Sequence, residues 1–141
     1  MTGYLLDTNV ISEPDKPRPN AGVIAWLGAI NEGRLFISVL SIGEIRARIE
    51  QVEGAVKKAR LETFLSALRA RFGDRMLTFD NEVAERWGRL VGTLGKSGRP
   101  IQSTDAMLAA TALHHDLVLV TRNERHFRVP GLSVLNPFAE A

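Results

Sequence analysis

The chain has 141 residues, a formal net charge of +2, 45% apolar and 24% charged residues. These values describe a single domain spanning 1–141 with a real core, and exclude a disordered or fibrous chain. Cysteine is absent, which excludes a disulfide framework, a thiolate metal site and a cysteine nucleophile.

The chain opens with an apolar run, Gly3-Tyr4-Leu5-Leu6, that ends on Asp7 and continues into Thr8-Asn9-Val10. A short apolar run without alternation reads as a strand covered on both faces, as in a parallel sheet. Glu13-Pro14-Asp15-Lys16-Pro17-Arg18-Pro19 reads as a stiff exposed loop that cannot be helical. Asn20 then caps a helix carrying Val23, Ile24, Trp26, Leu27 and Ile30, ended by Gly33. Leu35–Val39 is a second strand, and Ser41 starts a helix whose Ile42, Ile45 and Ile49 share one face. Gly54 separates it from a helix running to about Phe72. Met76–Phe79 is a third strand, and Asp80 caps the helix after it. The loop Gly95-Lys96-Ser97-Gly98-Arg99-Pro100 leads to a helix opened by Thr104 and Asp105 and running to His115. Leu117–Val120 and Leu132–Leu135 are the last two strands. Strands alternating with helices predict an α/β fold, a three-layer α/β/α sandwich around a parallel sheet of about five strands.

Charge is unevenly spread. Between Arg46 and Arg75 there are eight basic residues against four acids. A basic surface beside an acidic pocket would attract a polyanion held through a cation.

Ligand crevices of such sheets lie beyond the carboxyl ends of the strands. Asp7, Glu44, Asp105 and Asn123 all fall just past a strand or at a helix start on that edge. Each has a structural explanation: Asp7 as a helix cap, Glu44 as half of a Ser-x-x-Glu capping box with Ser41, Asp105 as a first-turn acid, Asn123 as a turn former. As a set they point to chemistry. Crowded carboxylates raise one another's pKa values and stay ionised only around a cation. Oxygen ligands without cysteine or a His-x-x-x-His pair favour Mg²⁺ or Mn²⁺ over zinc. Such an ion activates water and stabilises charge on a phosphoryl group. No Gly-x-Gly-x-x-Gly, Walker-type Gly-Lys-Ser/Thr or Gly-x-Ser-x-Gly sequence supports a nucleotide-cofactor enzyme or a serine hydrolase. No window has the length of a membrane span and the N-terminus lacks the pattern of a signal peptide, so the expectation is a soluble, cytoplasmic protein with no membrane partner.

Leu5-Leu6-Asp7-Thr8-Asn9-Val10-Ile11-Ser12, Ser41-Ile42-Gly43-Glu44-Ile45, Ser103-Thr104-Asp105-Ala106-Met107-Leu108-Ala109-Ala110-Thr111-Ala112, Val120-Thr121-Arg122-Asn123 and Leu135-Asn136-Pro137-Phe138 together resemble the PIN-domain nucleases. The likeness is to the VapC toxins of toxin–antitoxin pairs, in particular their FitB-like branch. It implies a metal-dependent endoribonuclease in which Asp7, Glu44 and Asp105 hold Mg²⁺ or Mn²⁺ and Asn123 is the fourth position. Thr8, Asn9 and Thr121 match small polar positions that support the acids or bind phosphate. His126 stands where the commonest pattern has a further carboxylate. The resemblance also implies an RNA substrate, a homodimer, and a small cognate antitoxin that fills the pocket and joins the toxin in an assembly on operator DNA. The alternative is a non-catalytic nucleic-acid- or partner-binding module on the same fold. A phosphatase with an Asp-x-Asp pair is disfavoured because Asn9 occupies the second place.

Overall fold

The structure, a computed structural model, describes residues 2–140. Its sheet is built from β1 (Gly3–Leu6), β2 (Leu35–Ser38), β3 (Met76–Leu77), β4 (Leu117–Val120) and β5 (Val134–Leu135), in the order β3-β2-β1-β4-β5. Every pairing is parallel, with Leu5 opposite Leu119 and Leu6 opposite Val120 at the centre. All carboxyl ends therefore share one edge.

Helices cover both faces. On one lie α1 (Thr8–Ile11), α2 (Ala21–Ala29), α3 (Val39–Gln51) and α4 (Ala55–Phe72); on the other, α5 (Asn81–Lys96) and α6 (Ser103–His114). The pleat divides the core. Leu6, Leu35, Ile37 and Val120 pack against Val10, Val23, Ile45, Leu65 and Phe72, all buried. Leu5 and Leu119 face the opposite layer, against Leu94, Leu108, Ala109 and Ala112. The alanines let α6 lie close to the sheet and to α5. This is the expected three-layer α/β/α sandwich with a five-stranded parallel sheet.

Several local expectations are corrected. Residues Glu13–Asp15 form a 3₁₀ turn rather than an open loop, with Pro14 in its first turn, where a missing N–H is harmless. Glu13 is buried: its carboxylate accepts the Asn20 N–H at 2.8 Å and pairs with Lys16 at 3.0 Å. Helix α3 starts at Val39, capped by the Ser38 hydroxyl, which accepts from the Leu40 N–H. Ser41 thus lies inside the helix, and the capping-box explanation of Glu44 falls away. Helix α2 ends at Ala29, and a 3₁₀ turn at Glu32–Arg34, capped by Asn31, leads into β2. Helix α5 runs through Lys96, so only the latter part of the predicted 95–100 loop is irregular. The edge strands β3 and β5 have two residues each, shorter than expected.

The segment after β5 is strapped to the start of α2. Asn20 caps that helix through Oδ1, which also accepts the Ala139 N–H at 2.9 Å, while Nδ2 donates to the Ala139 carbonyl at 2.9 Å. A Cβ on Gly22 would lie 2.5 Å from the Pro137 carbonyl oxygen and 2.6 Å from the Ala139 nitrogen, both backbone atoms that cannot rotate away. Gly22→Val is therefore expected to lower stability by about 1–3 kcal/mol, the range for overpacking. Urea denaturation checks this, and an unchanged midpoint would mean that the strap contributes nothing.

Candidate active site

Asp7 leaves the end of β1 as the N-cap of α1, and one oxygen, Oδ1, accepts the Thr8 N–H at 2.7 Å. The capping explanation is correct but covers only half of the carboxylate. Its Oδ2 accepts the Thr121 hydroxyl at 2.8 Å and lies 3.4 Å from Asn9 Nδ2. Thr121, fully buried just past β4, also accepts the Asn123 N–H at 3.0 Å. Asn9 Oδ1 accepts the Arg122 N–H at 3.2 Å. The ends of β1 and β4 are thus tied together through Asp7, Asn9 and Thr121.

Glu44 is six residues into α3 and is held from the β1 side. The Thr8 hydroxyl donates to Glu44 Oε1 at 3.0 Å and lies 2.8 Å from Ser41 Oγ. A hydroxyl has one proton, and Thr8 gives its own to Glu44, so Ser41 is the donor in the second contact. Sequence reasoning missed Ser41 as a site-supporting residue because Ser-x-x-Glu reads as a cap. The signal that places it properly is Ser38, already at the strand end and free to cap.

Asp105 is in the first turn of α6, with Oδ2 3.5 Å from His126 Nδ1. His126 lies on the 3₁₀ turn Glu124–Phe127 and is half-exposed. Asn123 joins the site through its backbone N–H, while its side chain is exposed.

The charges of the three acids are coupled. Burial raises the Asp7 carboxyl above its usual range, against the Thr121 and Thr8 hydrogen bonds and the His126 charge. Burial also raises Glu44; the Thr8 hydroxyl opposes this, and the charges of Asp7 and Asp105 add to it. Asp105 is raised by burial and by Asp7, with His126 opposing. Side chains from positions 7, 44 and 105 therefore lie in one electrostatic neighbourhood at the predicted edge.

They are not gathered into a ready-made shell: among the described residues no three acids or histidines stand closely enough to hold an ion as they are. Asp7 is turned onto Thr121 and Asn9, Glu44 onto Thr8, and Asp105 toward His126. The donor chemistry nevertheless fits a hard divalent cation, since all the acids offer carboxylate oxygen and share a repulsion that a cation would relieve.

A groove of about 530 Å³ opens beside Thr8 and Glu44. A larger concavity of about 590 Å³, between α5 and α6, contains none of the site residues.

Residues 4–132 match the family model described as the PIN domain. The chain is 34% identical over 135 residues to the toxin FitB of Neisseria gonorrhoeae, covering 95% of this chain and 97% of that one. It is 30% identical over 138 residues to the VapC ribonuclease Y4jK of Sinorhizobium fredii, covering 97% and 99%. Among solved structures, FitAB bound to an IR36 DNA fragment superposes with a TM-score of 0.88 at 32% identity, covering 98% of this chain and 97% of that one. With its acids at the same sheet edge and its family model matched over nearly the full length, this chain belongs to the PIN-domain family.

Proposed function

We propose that the protein is a metal-dependent endoribonuclease and the toxin half of a toxin–antitoxin pair. The observation that carries this reading is geometric: Thr8 joins Asp7 through its N–H and Glu44 through its hydroxyl, and Asp105 opens α6, three carboxylates from distant parts of a PIN-family chain. A relative is named a VapC ribonuclease, and the structural neighbour FitAB is a complex on DNA. Those names support RNA as substrate and a small antitoxin as partner, in an assembly that reaches operator DNA through the antitoxin. The active form is a homodimer, and its place of action is the cytoplasm, where RNA is.

Asp7 and Asp105 would hold Mg²⁺ or Mn²⁺, Glu44 would bind the ion or position the attacking water, and Asn123 would complete the set. The ion, once bound, supplies an activated water and neutralises charge on the phosphate. The protein's own part is orientation. Thr121 and Asn9 fix the Asp7 carboxylate, and the Ser41–Thr8 pair fixes Glu44. His126 faces Asp105, with Nδ1 3.5 Å from Oδ2, and orients that acid.

Because the acids are not already drawn around one point, the non-catalytic binding module is the reading to test against. The experiment is a cleavage assay on transfer, ribosomal and messenger RNAs with Mn²⁺, Mg²⁺ or EDTA. Cleavage that needs the cation and stops in EDTA is expected. RNA retention that survives EDTA, with no cleavage under any condition, would establish the binding module instead.

A further inference from the structure

The groove beside Thr8 and Glu44 is walled by three separate pieces of chain: the 3₁₀ turn and its exit (Lys16), α3 (Arg48) and α4 (Lys57, Arg60). Glu44 and Arg48 are one turn apart on α3, and Lys57, Arg60 and Phe64 follow one face of α4, so the cations and the floor lie on converging helix faces. Asp15 and Glu53 also line the groove. No ion pair among the described residues engages Arg48, Lys57 or Arg60, whereas Arg46 is paired with Glu62, and Arg71 and Arg75 with Glu32. Lys16 differs from the other cations of the groove. Its ammonium is 3.0 Å from Glu13 Oε1, a carboxylate that is 5% exposed, plays no part in the acidic site and also accepts the Asn20 N–H. A lysine side chain carries about 2 kcal/mol of rotamer entropy; the ion pair with the buried Glu13 restrains that freedom at the groove that Lys16 lines.

The floor is apolar, formed by Ile45, Leu61 and Phe64. Cations along the walls with an apolar floor suit a single strand, whose phosphates take the charges and whose bases take the floor. Resting on the ribonuclease reading, we infer that this groove carries the RNA strand to one side of the cleaved phosphate. Lys16, held by Glu13, is a phosphate contact on the wall facing α3, and Arg48, Lys57 and Arg60 are the others along the strand.

The test uses the full chain in EDTA, so that binding is read without cleavage, and a fluorescent single-stranded ribo-oligonucleotide of mixed sequence followed by anisotropy across a salt series. Each phosphate contact contributes a slope of about 0.7 in the logarithm of affinity against the logarithm of salt. Removing three contacts in R48Q/K57Q/R60Q should therefore flatten the slope by about 2 and weaken binding roughly tenfold or more at low salt. Lys16→Gln should flatten it by about 0.7. Glu13→Gln should weaken binding severalfold where Lys16 is present and have no further effect in the Lys16→Gln background; an equal loss in both backgrounds would make Glu13 merely structural. Arg86→Gln/Arg89→Gln, in the concavity between α5 and α6, is the control and should leave the slope unchanged. If the triple variant keeps the wild-type slope and affinity while the wild type still cleaves RNA with Mn²⁺, the track is wrong and the ribonuclease reading stands. If that variant instead loses only a protein partner, the groove is a protein-docking surface. If the slopes change as expected but no RNA is ever cleaved, the track stands and the ribonuclease reading falls.

Discussion

Asp7→Asn is expected to reduce RNA cleavage by about a hundredfold or more, the scale on which loss of a preorganised electrostatic contact acts, while the protein remains folded. Asp7 is the acid on which the ends of β1 and β4 converge. Asparagine is nearly isosteric and keeps an acceptor for the Thr8 N–H. Its new N–H groups, however, face the Thr121 hydroxyl and the Asn9 amide, which both donate there. Thr121 has a second lone pair beside the one that receives the Asn123 N–H and can accept from the new amide, but its own proton then loses the carboxylate acceptor. Losing such hydrogen bonds costs about 1 kcal/mol each, and relief of a buried charge works in the opposite direction. The net change should stay within about 1–2 kcal/mol, too little to unfold a domain of ordinary stability. Cleavage rate with Mn²⁺ and a urea midpoint, measured on the same sample, separate the two effects. A variant that cleaves at the wild-type rate would remove Asp7 from the chemistry. Asp105→Asn is the companion case: it loses only the facing His126, so activity should fall while metal-free stability rises.

The parallel sheet and the edge at which the acids collect were legible because strand periodicity and parallel connectivity act over the whole chain. Leu5-Leu6 before Asp7 and Val118-Leu119-Val120 before Thr121 can be covered on both sides only inside a parallel sheet, and they are its middle strand and one of that strand's two neighbours. Local chemistry read less well where two polar groups competed for one role. Ser38 and Ser41 can both start α3, and the strand end decided for Ser38, turning Ser41 inward to Thr8. Glu13 looked exposed because prolines surround it. Its burial depends on Asn20 and Lys16 folding back over it, a tertiary contact with no periodic signature. The orientation of the acids was equally invisible in sequence. Spacing places Asp7, Glu44 and Asp105 on one edge, but which hydroxyl each faces depends on Thr8, Thr121 and His126.

Addition of Mn²⁺ at a hundred times its dissociation constant is expected to stabilise the folded protein by about 2.7 kcal/mol at neutral pH, and the effect should vanish on acidification. The sign follows from the raised carboxyls. The unfolded values are near 3.8 for Asp7 and Asp105 and 4.5 for Glu44, and all three are higher when folded. The folded state therefore holds protons that the unfolded chain has released. The contribution of these groups to stability is fully present below the unfolded values and is lost as pH rises through the folded ones. Glu13 and Glu32 act in the opposite direction. The largest influence on Glu13 is burial, which raises it, but the Asn20 N–H and Lys16 together lower it overall; Arg71 lowers Glu32. Their stability is lost on acidification, so the pH profile without metal is a sum of opposing slopes. The cation separates them, because it acts only on ionised site acids. The difference between the Mn²⁺ and EDTA profiles should be near zero around pH 4 and grow toward neutrality. It should be absent at every pH in Asp7→Asn/Asp105→Asn. An equal Mn²⁺ response in that double variant would place the ion elsewhere on the surface, and a wild type indifferent to millimolar Mn²⁺ and Mg²⁺ would leave the three acids without the cation their shared field calls for.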